Sequence, residues 1–201
     1  MQQDDVVVPG LRDVRGTLDA PDGGADAVVV ACPPHPQFGG SRSDRRLRAV
    51  AEALVEQGVA TLRFDYGSWD GGEGERADID AALRWAGKRY DRVGLFGYSF
   101  GAANGLLVAA GRDDLGAVSA LAPDAKAVDA LADVACPLQL VYGARDETVD
   151  WAPVVERARE LNEAGREPPV DVVECAADHH FVGQDGKVGE VVGEFLAAHL
   201  R

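Results

Sequence analysis

Arg92-Val93-Gly94-Leu95-Phe96-Gly97-Tyr98-Ser99-Phe100-Gly101 is the stretch from which the rest of the chain can be read. Val93–Phe96 is a short apolar run of strand character, and Ala102, Ala103, Leu106, Leu107 and Ala109 continue beyond Gly101 with helical character. Between them lies a G-x-S-x-G pentapeptide, Gly97 to Gly101, and that pattern between a strand and a helix predicts a nucleophile elbow. The tight turn projects the Ser99 hydroxyl beyond the sheet edge. Glycines two residues to either side remove the β-carbons that would hold helix and strand apart. The Phe100 amide, at the helix start, then points to where an oxyanion develops. A glycine-rich turn by itself can be purely structural; the strand before and the helix after carry the functional reading. The chain has no G-x-G-x-x-G and no P-loop lysine, so no dinucleotide or other cofactor is implied.

Working outward, the same alternation repeats. Apolar runs at Ala27–Cys32, Ala60–Phe64, Val118–Leu121, Leu138–Tyr142 and Val170–Val173 alternate with segments of helical period. Leu47, Val50, Ala51 and Leu54 mark one helix face, with Ser43 or Asp44 available as cap and Gly58 as terminator. Ile79, Ala82, Leu83 and Ala86 mark a second, and Val188, Val191, Val192 and Phe195 a third. Near the start, Asp5–Val8 and Asp13–Leu18 flank Pro9-Gly10 and predict an antiparallel hairpin on the sheet edge. The sequence thus predicts one α/β domain over residues 1–201. A mostly parallel central sheet carries helices on both faces. Pro123 to Val134 has room for a short helix only, so no lid domain is expected and the site should be open to small or soluble substrates.

A serine hydroxyl needs a base to take its proton and a carboxylate to orient that base. In a chain with this elbow the order is serine, acid, histidine. Of the four histidines, His35 precedes the serine, and His199 sits in the last helical turn, where a dipole contact suffices. His179 and His180 remain as candidates for the base. Asp146, in Gly143-Ala144-Arg145-Asp146, follows a strand and is the preferred acid, with Asp124 as the alternative. Asp178-His179-His180 is a poor metal motif, because adjacent histidines point apart and no third ligand cluster accompanies them. No metal is expected.

Composition narrows the setting. Asp and Glu total 34 against 20 Lys and Arg, a formal net charge of -14, which disfavours nucleic-acid partners and resembles the surfaces of proteins from salt-accumulating, halophilic cells. No apolar run is long enough to span a bilayer, and Met1-Gln2-Gln3-Asp4-Asp5 has no secretory signature. Three scattered cysteines do not make a disulfide framework. A cytoplasmic protein without membrane partners is expected.

With these residues in place, the chain resembles the α/β-hydrolase superfamily, and within it the compact dienelactone-hydrolase-like group. Pro34-His35-Pro36-Gln37-Phe38-Gly39-Gly40 is similar to that group's oxyanion loop, and Ala60 to Gly67 to its strand running into a glycine-rich loop. Gly97 to Gly101 is the elbow, and Ala176-Ala177-Asp178-His179-His180-Phe181 resembles its base segment. The resemblance implies an α/β-hydrolase fold and a Ser99–His179–Asp146 triad, with His179 chosen over His180. It also implies an oxyanion hole from the amides of Gln37 and Phe100; Pro34 and Pro36 have no amide hydrogen to offer. His35, Phe38, Trp69, Tyr98 and His180 are the candidate pocket residues. Ser68 to Gly74 departs from the group's basic loop, and Ser99 stands where true dienelactone hydrolases carry cysteine. The activity implied is serine esterase chemistry on a small-molecule ester, lactone or thioester. Acyl transfer and perhydrolysis use the same triad, and a non-catalytic pseudo-hydrolase would lack one of its members.

Overall fold

Strand β3, Ala27–Cys32, shows how the sequence builds a core on two sides of one sheet. All six residues are buried. Val28, Val30 and Cys32 face one apolar cluster, while Ala27, Val29 and Ala31 face the other. A strand covered on both faces needs no polar alternation, which is why its sequence is an unbroken apolar run.

The computed structural model describes residues 1–201. The remaining strands are β1 Gln2–Val8, β2 Val14–Ala20, β4 Ala60–Phe64, β5 Arg92–Tyr98, β6 Ala117–Leu121, β7 Leu138–Gly143 and β8 Asp171–Cys175. They form one sheet in the order β1-β2-β4-β3-β5-β6-β7-β8. β1 and β2 are antiparallel to each other, and β2 is antiparallel to β4; every other pair is parallel. Five helices cover it: α1 Arg45–Glu56, α2 Glu73–Gly87, α3 Phe100–Ala109, α4 Ala152–Glu163 and α5 Asp185–Leu200. Residues of α2, α3 and α4 fill one core, including Ile79, Leu106 and Val154. Those of α1 and α5 fill the other, including Leu47, Leu54, Val192 and Leu196. This is an α/β-hydrolase fold with the edge hairpin that the sequence predicts.

The order of strands explains where a site forms. The chain leaves β3 for β4 on one side, then returns across β3 to β5 on the other. Loops after β3 and β5 therefore diverge at the carboxyl ends of neighbouring strands and open a crevice between them.

Several local readings are refined. Asp44 is the cap of α1, its carboxylate accepting the Arg46 amide, and Gly58 follows the helix with φ 82°. The last strand lies one to two residues later than predicted, at Asp171–Cys175, because Val170 already spends its amide and carbonyl on the Asn162 side chain. Pro123 to Val134 holds two short 3-10 turns, Ala125–Ala127 and Asp129–Asp133, in place of one short helix. Helix α4 was not anticipated, since only Val154, Val155 and Ala158 of its twelve residues are buried and its apolar stripe is narrow. No helix is long and apolar enough to cross a membrane.

Candidate active site

Strand β5 delivers Ser99 into a turn that few side chains tolerate. Its backbone has φ 55° and ψ -115°, a region costing on the order of 1–3 kcal/mol for a residue with a β-carbon. The turn is held on both sides: the Ser99 amide donates to the Leu121 carbonyl at 2.8 Å, and its own carbonyl accepts from Ala103 at 3.0 Å. A methyl group on Gly101 would collide with the carbonyls of Cys32 and Pro33, and one on Gly97 with the Gly101 carbonyl. Glycine at both positions is what lets α3 begin so close to the sheet.

The half-buried Ser99 side chain meets the His179 ring directly. Ser99 Oγ lies 3.0 Å from His179 Nε2, and His179 Nδ1 lies 2.7 Å from Asp146 Oδ2. With Nδ1 donating to the carboxylate, the Nε2 lone pair is left to accept the serine proton. His179 is only 6% exposed and Asp146 7%. The other Asp146 oxygen accepts from the amides of Thr148 at 2.8 Å and Val149 at 3.2 Å, so the buried carboxylate is fully engaged. Thr148 and Val149 were not among the residues singled out from sequence; nothing in a backbone amide donor is visible in residue type.

Of the alternatives, Asp124 lines the same cavity but caps the Ala125–Ala127 turn, its carboxylate accepting the Lys126 amide. His180 lines the cavity too, its ring edge-on to His179 at 5.4 Å between centroids. His199 bonds the carbonyl of Phe195 one turn earlier on α5 and has no place in the cavity wall.

The cavity in front of Ser99 has a volume of about 630 Å³ and is open on one side. His35, Phe38, Tyr98, Phe100 and Lys126 contribute to its wall. Trp69, also anticipated there, is not in the wall: it packs against the rings of two wall residues, His35 at 4.6 Å and Phe100 at 5.6 Å between centroids. Lys126 was not anticipated; its ammonium sits over the Phe100 ring, 4.7 Å from the centroid, and burial holds its pKa below the ordinary lysine value.

The two amides anticipated for an oxyanion differ in their present partners. Phe100 is the first residue of α3, so its N–H has no carbonyl one turn earlier to bond. The Gln37 amide donates to His35 Nδ1 at 3.3 Å, and Gln37 itself is exposed and outside the cavity wall. Burial, and after it the Lys126 charge, lowers the His35 pKa, which keeps Nδ1 free to accept.

The chain resembles an alpha-beta serine hydrolase homologue from Coxiella burnetii, with a TM-score of 0.84 and 27% identity over 96% of this chain and 97% of that one. It resembles a dienelactone hydrolase from Anabaena variabilis at a TM-score of 0.82 and 26% identity, covering 100% and 99% of the two chains. A serine hydrolase without a lid from Xanthomonas campestris shares the fold, with a TM-score of 0.79 and 24% identity over 98% and 96%. No curated protein matches the sequence. The family model described as the dienelactone hydrolase family matches residues 41–193, most of the chain and all three residues of the serine, histidine and aspartate chain, and the protein therefore belongs to the dienelactone hydrolase family.

Proposed function

We propose that this protein is a serine hydrolase cleaving small, soluble carboxylic esters, with lactones and thioesters as chemically related substrates, through an acyl-enzyme on Ser99. The observation that carries this reading is the unbroken hydrogen-bonded chain from Ser99 Oγ to His179 at 3.0 Å and on to Asp146 at 2.7 Å, at the wall of an open cavity. His179 Nε2 takes the hydroxyl proton as Oγ attacks the ester carbonyl carbon. The oxyanion that forms lies at the start of α3, where the Phe100 N–H donates to it. The Gln37 amide, the second donor anticipated, would have to leave its bond to His35 Nδ1 to reach that oxyanion, so Phe100 carries it in this reading. The tetrahedral intermediate expels the alcohol, which takes the proton back from Nε2, and a water repeats the cycle to release the acid. Asp146 holds the ring in place and stabilises the imidazolium.

Treatment with a fluorophosphonate probe tests this reading. The protein should be labelled once, at Ser99, and Ser99→Ala should lose both labelling and turnover of short-chain nitrophenyl esters. Equal labelling of parent and variant would refute it.

A further inference from the structure

The base sits on the loop between β8 and α5, and loops drift unless something pins them. Four of its backbone carbonyls are held from outside it: Arg145 takes those of Ala176 and Ala177, through its side chain and its amide, and residues of two other elements take those of His179 and His180. The Tyr98 hydroxyl donates to the His179 carbonyl at 2.9 Å, and Arg46 Nη1 donates to the His180 carbonyl at 2.8 Å. Arg45 adds a longer bond to the same His180 oxygen, at 3.2 Å. The two anchors are themselves coupled, because the Arg46 guanidinium lies over the Tyr98 ring, 4.3 Å from its centroid. Asp44 completes the assembly: its carboxylate takes the Arg46 fork on both oxygens while capping α1. Tyr98 is 2% exposed and Arg46 9%. Neither touches the Ser99 hydroxyl or His179 ring nitrogens by hydrogen bond, so the mechanism above does not use them.

Tyr98 is the residue immediately before Ser99 in the chain. Its hydroxyl therefore ties the base loop to the same short piece of backbone that carries the nucleophile, and the bond links the two partners through a single rigid ring. We propose that Tyr98 and Arg46 are positioning residues that together set the Ser99–His179 distance, with Asp44 aiming the arginine. Burial pushes the Tyr98 hydroxyl up to about 12, against the opposing pull of Arg46, so it remains a donor throughout the working pH range of an esterase. Arginine is required by its shape. One planar group must bond a carboxylate with two nitrogens, bond a carbonyl with a third, and sit over a ring, which a lysine ammonium cannot do.

The proposal rests on the esterase reading, and the test separates the two. Nitrophenyl ester kinetics and thermal melts are compared for the parent, Tyr98→Phe, Arg46→Met, Arg46→Lys and His179→Ala, and for the first two substitutions combined with His179→Ala. Misplacing a base by about 1 Å costs on the order of 100-fold, so Tyr98→Phe and Arg46→Met should each lower kcat by about 10- to 100-fold; both side chains also line the cavity, so any change in KM is read separately from the loss in kcat. Arg46→Lys should recover only part of the loss. In the His179→Ala background neither substitution should lower the residual rate further, because there is no base left to misplace. A purely structural role would lower both backgrounds alike, and that outcome overturns the proposal, as does parental kcat in Tyr98→Phe. That variant keeps the ring beneath Arg46 and removes one hydroxyl, so it tests the idea even where an Arg46 variant fails to fold. If His179→Ala itself retains parental turnover, the esterase reading falls and this inference with it. If His179→Ala is inactive while Tyr98→Phe and Arg46→Met run at parental kcat, only this inference falls.

Discussion

Replacing Asp146 by asparagine isolates what the acid does, because asparagine keeps the shape of the site. One Asp146 oxygen accepts the amides of Thr148 and Val149, and the other accepts from His179 Nδ1 at 2.7 Å. In Asp146→Asn the two backbone amides still require an acceptor, so they select the orientation that gives them the carboxamide oxygen. The NH2 group is then left facing His179 Nδ1. An N–H cannot face another N–H, and the imidazole must move its proton to Nε2, the nitrogen 3.0 Å from Ser99 Oγ. A protonated Nε2 donates where it needs to accept, and the serine keeps its proton. The expected loss in kcat is on the order of 10⁴, about 5.5 kcal/mol of transition-state stabilisation, with KM little affected because nothing in the cavity wall has changed. Ester turnover is measured beside a thermal melt to establish that the variant is folded. Asp124→Asn runs in parallel and should cost little, since that side chain caps a 3-10 turn and has no bond to His179. Turnover within about tenfold of parent for Asp146→Asn, or a larger loss for Asp124→Asn, would refute the reasoning.

Two further outcomes follow from charge and burial. With a net charge of -14, screening should favour the folded state. Raising potassium chloride shrinks the Debye length from about 10 Å at 0.1 M to about 3 Å at 1 M. Screening worth about 2 kcal/mol raises the melting temperature of a chain this size by roughly 4–8 °C, and a flat calorimetric profile would count against it. At the alkaline end, burial raises the Tyr98 hydroxyl from 10.0 to about 12, so the unfolded chain releases this proton first. Its contribution is complete below pH 10 and is lost as pH rises toward 12, on the order of 2 kcal/mol. Cys32, buried, and Tyr66, partly buried, are also raised and act with the same sign. Chemical denaturation at pH 9 and pH 11.5 should show a shallower loss for Tyr98→Phe than for the parent; equal losses would rule out this assignment.

Much of the fold was legible because its signals are local and strong. An apolar run such as Ala27–Cys32 has one interpretation once helical periods flank it, and its bounds coincide with β3. The pentapeptide Gly97–Gly101 was legible because steric exclusion by the Cys32, Pro33 and Gly101 carbonyls leaves little besides glycine at its ends. Where a contact is made by backbone, residue type is silent. Thr148 and Val149 hold Asp146 through amides that any non-proline residue supplies, and the Gln37 amide finds His35 Nδ1 two residues away, a detail of loop geometry with no pattern in the chain. Trp69, a candidate pocket residue from sequence, packs against the His35 ring and does not line the cavity, a choice of side-chain direction that residue type does not carry.

Arg46 is a different case, since it does leave a trace in the sequence. A helix start carries partial positive charge, so acidic residues belong there and cations are disfavoured by roughly 0.3–1 kcal/mol each. Helix α1 begins Asp44-Arg45-Arg46, with two arginines in its first turn and no acidic residue within it. That placement works against the helix dipole and against the exposure usual for arginine, for Arg46 is 9% exposed beside Leu47 on the buried face. Something outside the helix must offset both terms. The structure supplies the Asp44 carboxylate, the His180 carbonyl and the Tyr98 ring, three partners converging on one guanidinium from two other elements and the helix cap. A residue that breaks a local preference and is satisfied only by distant partners marks the point where helix α1, strand β5 and the base loop are tied together. The elbow's glycines are likewise needed only because distant carbonyls crowd them, so in both places the local anomaly in sequence is the imprint of the site's tertiary geometry.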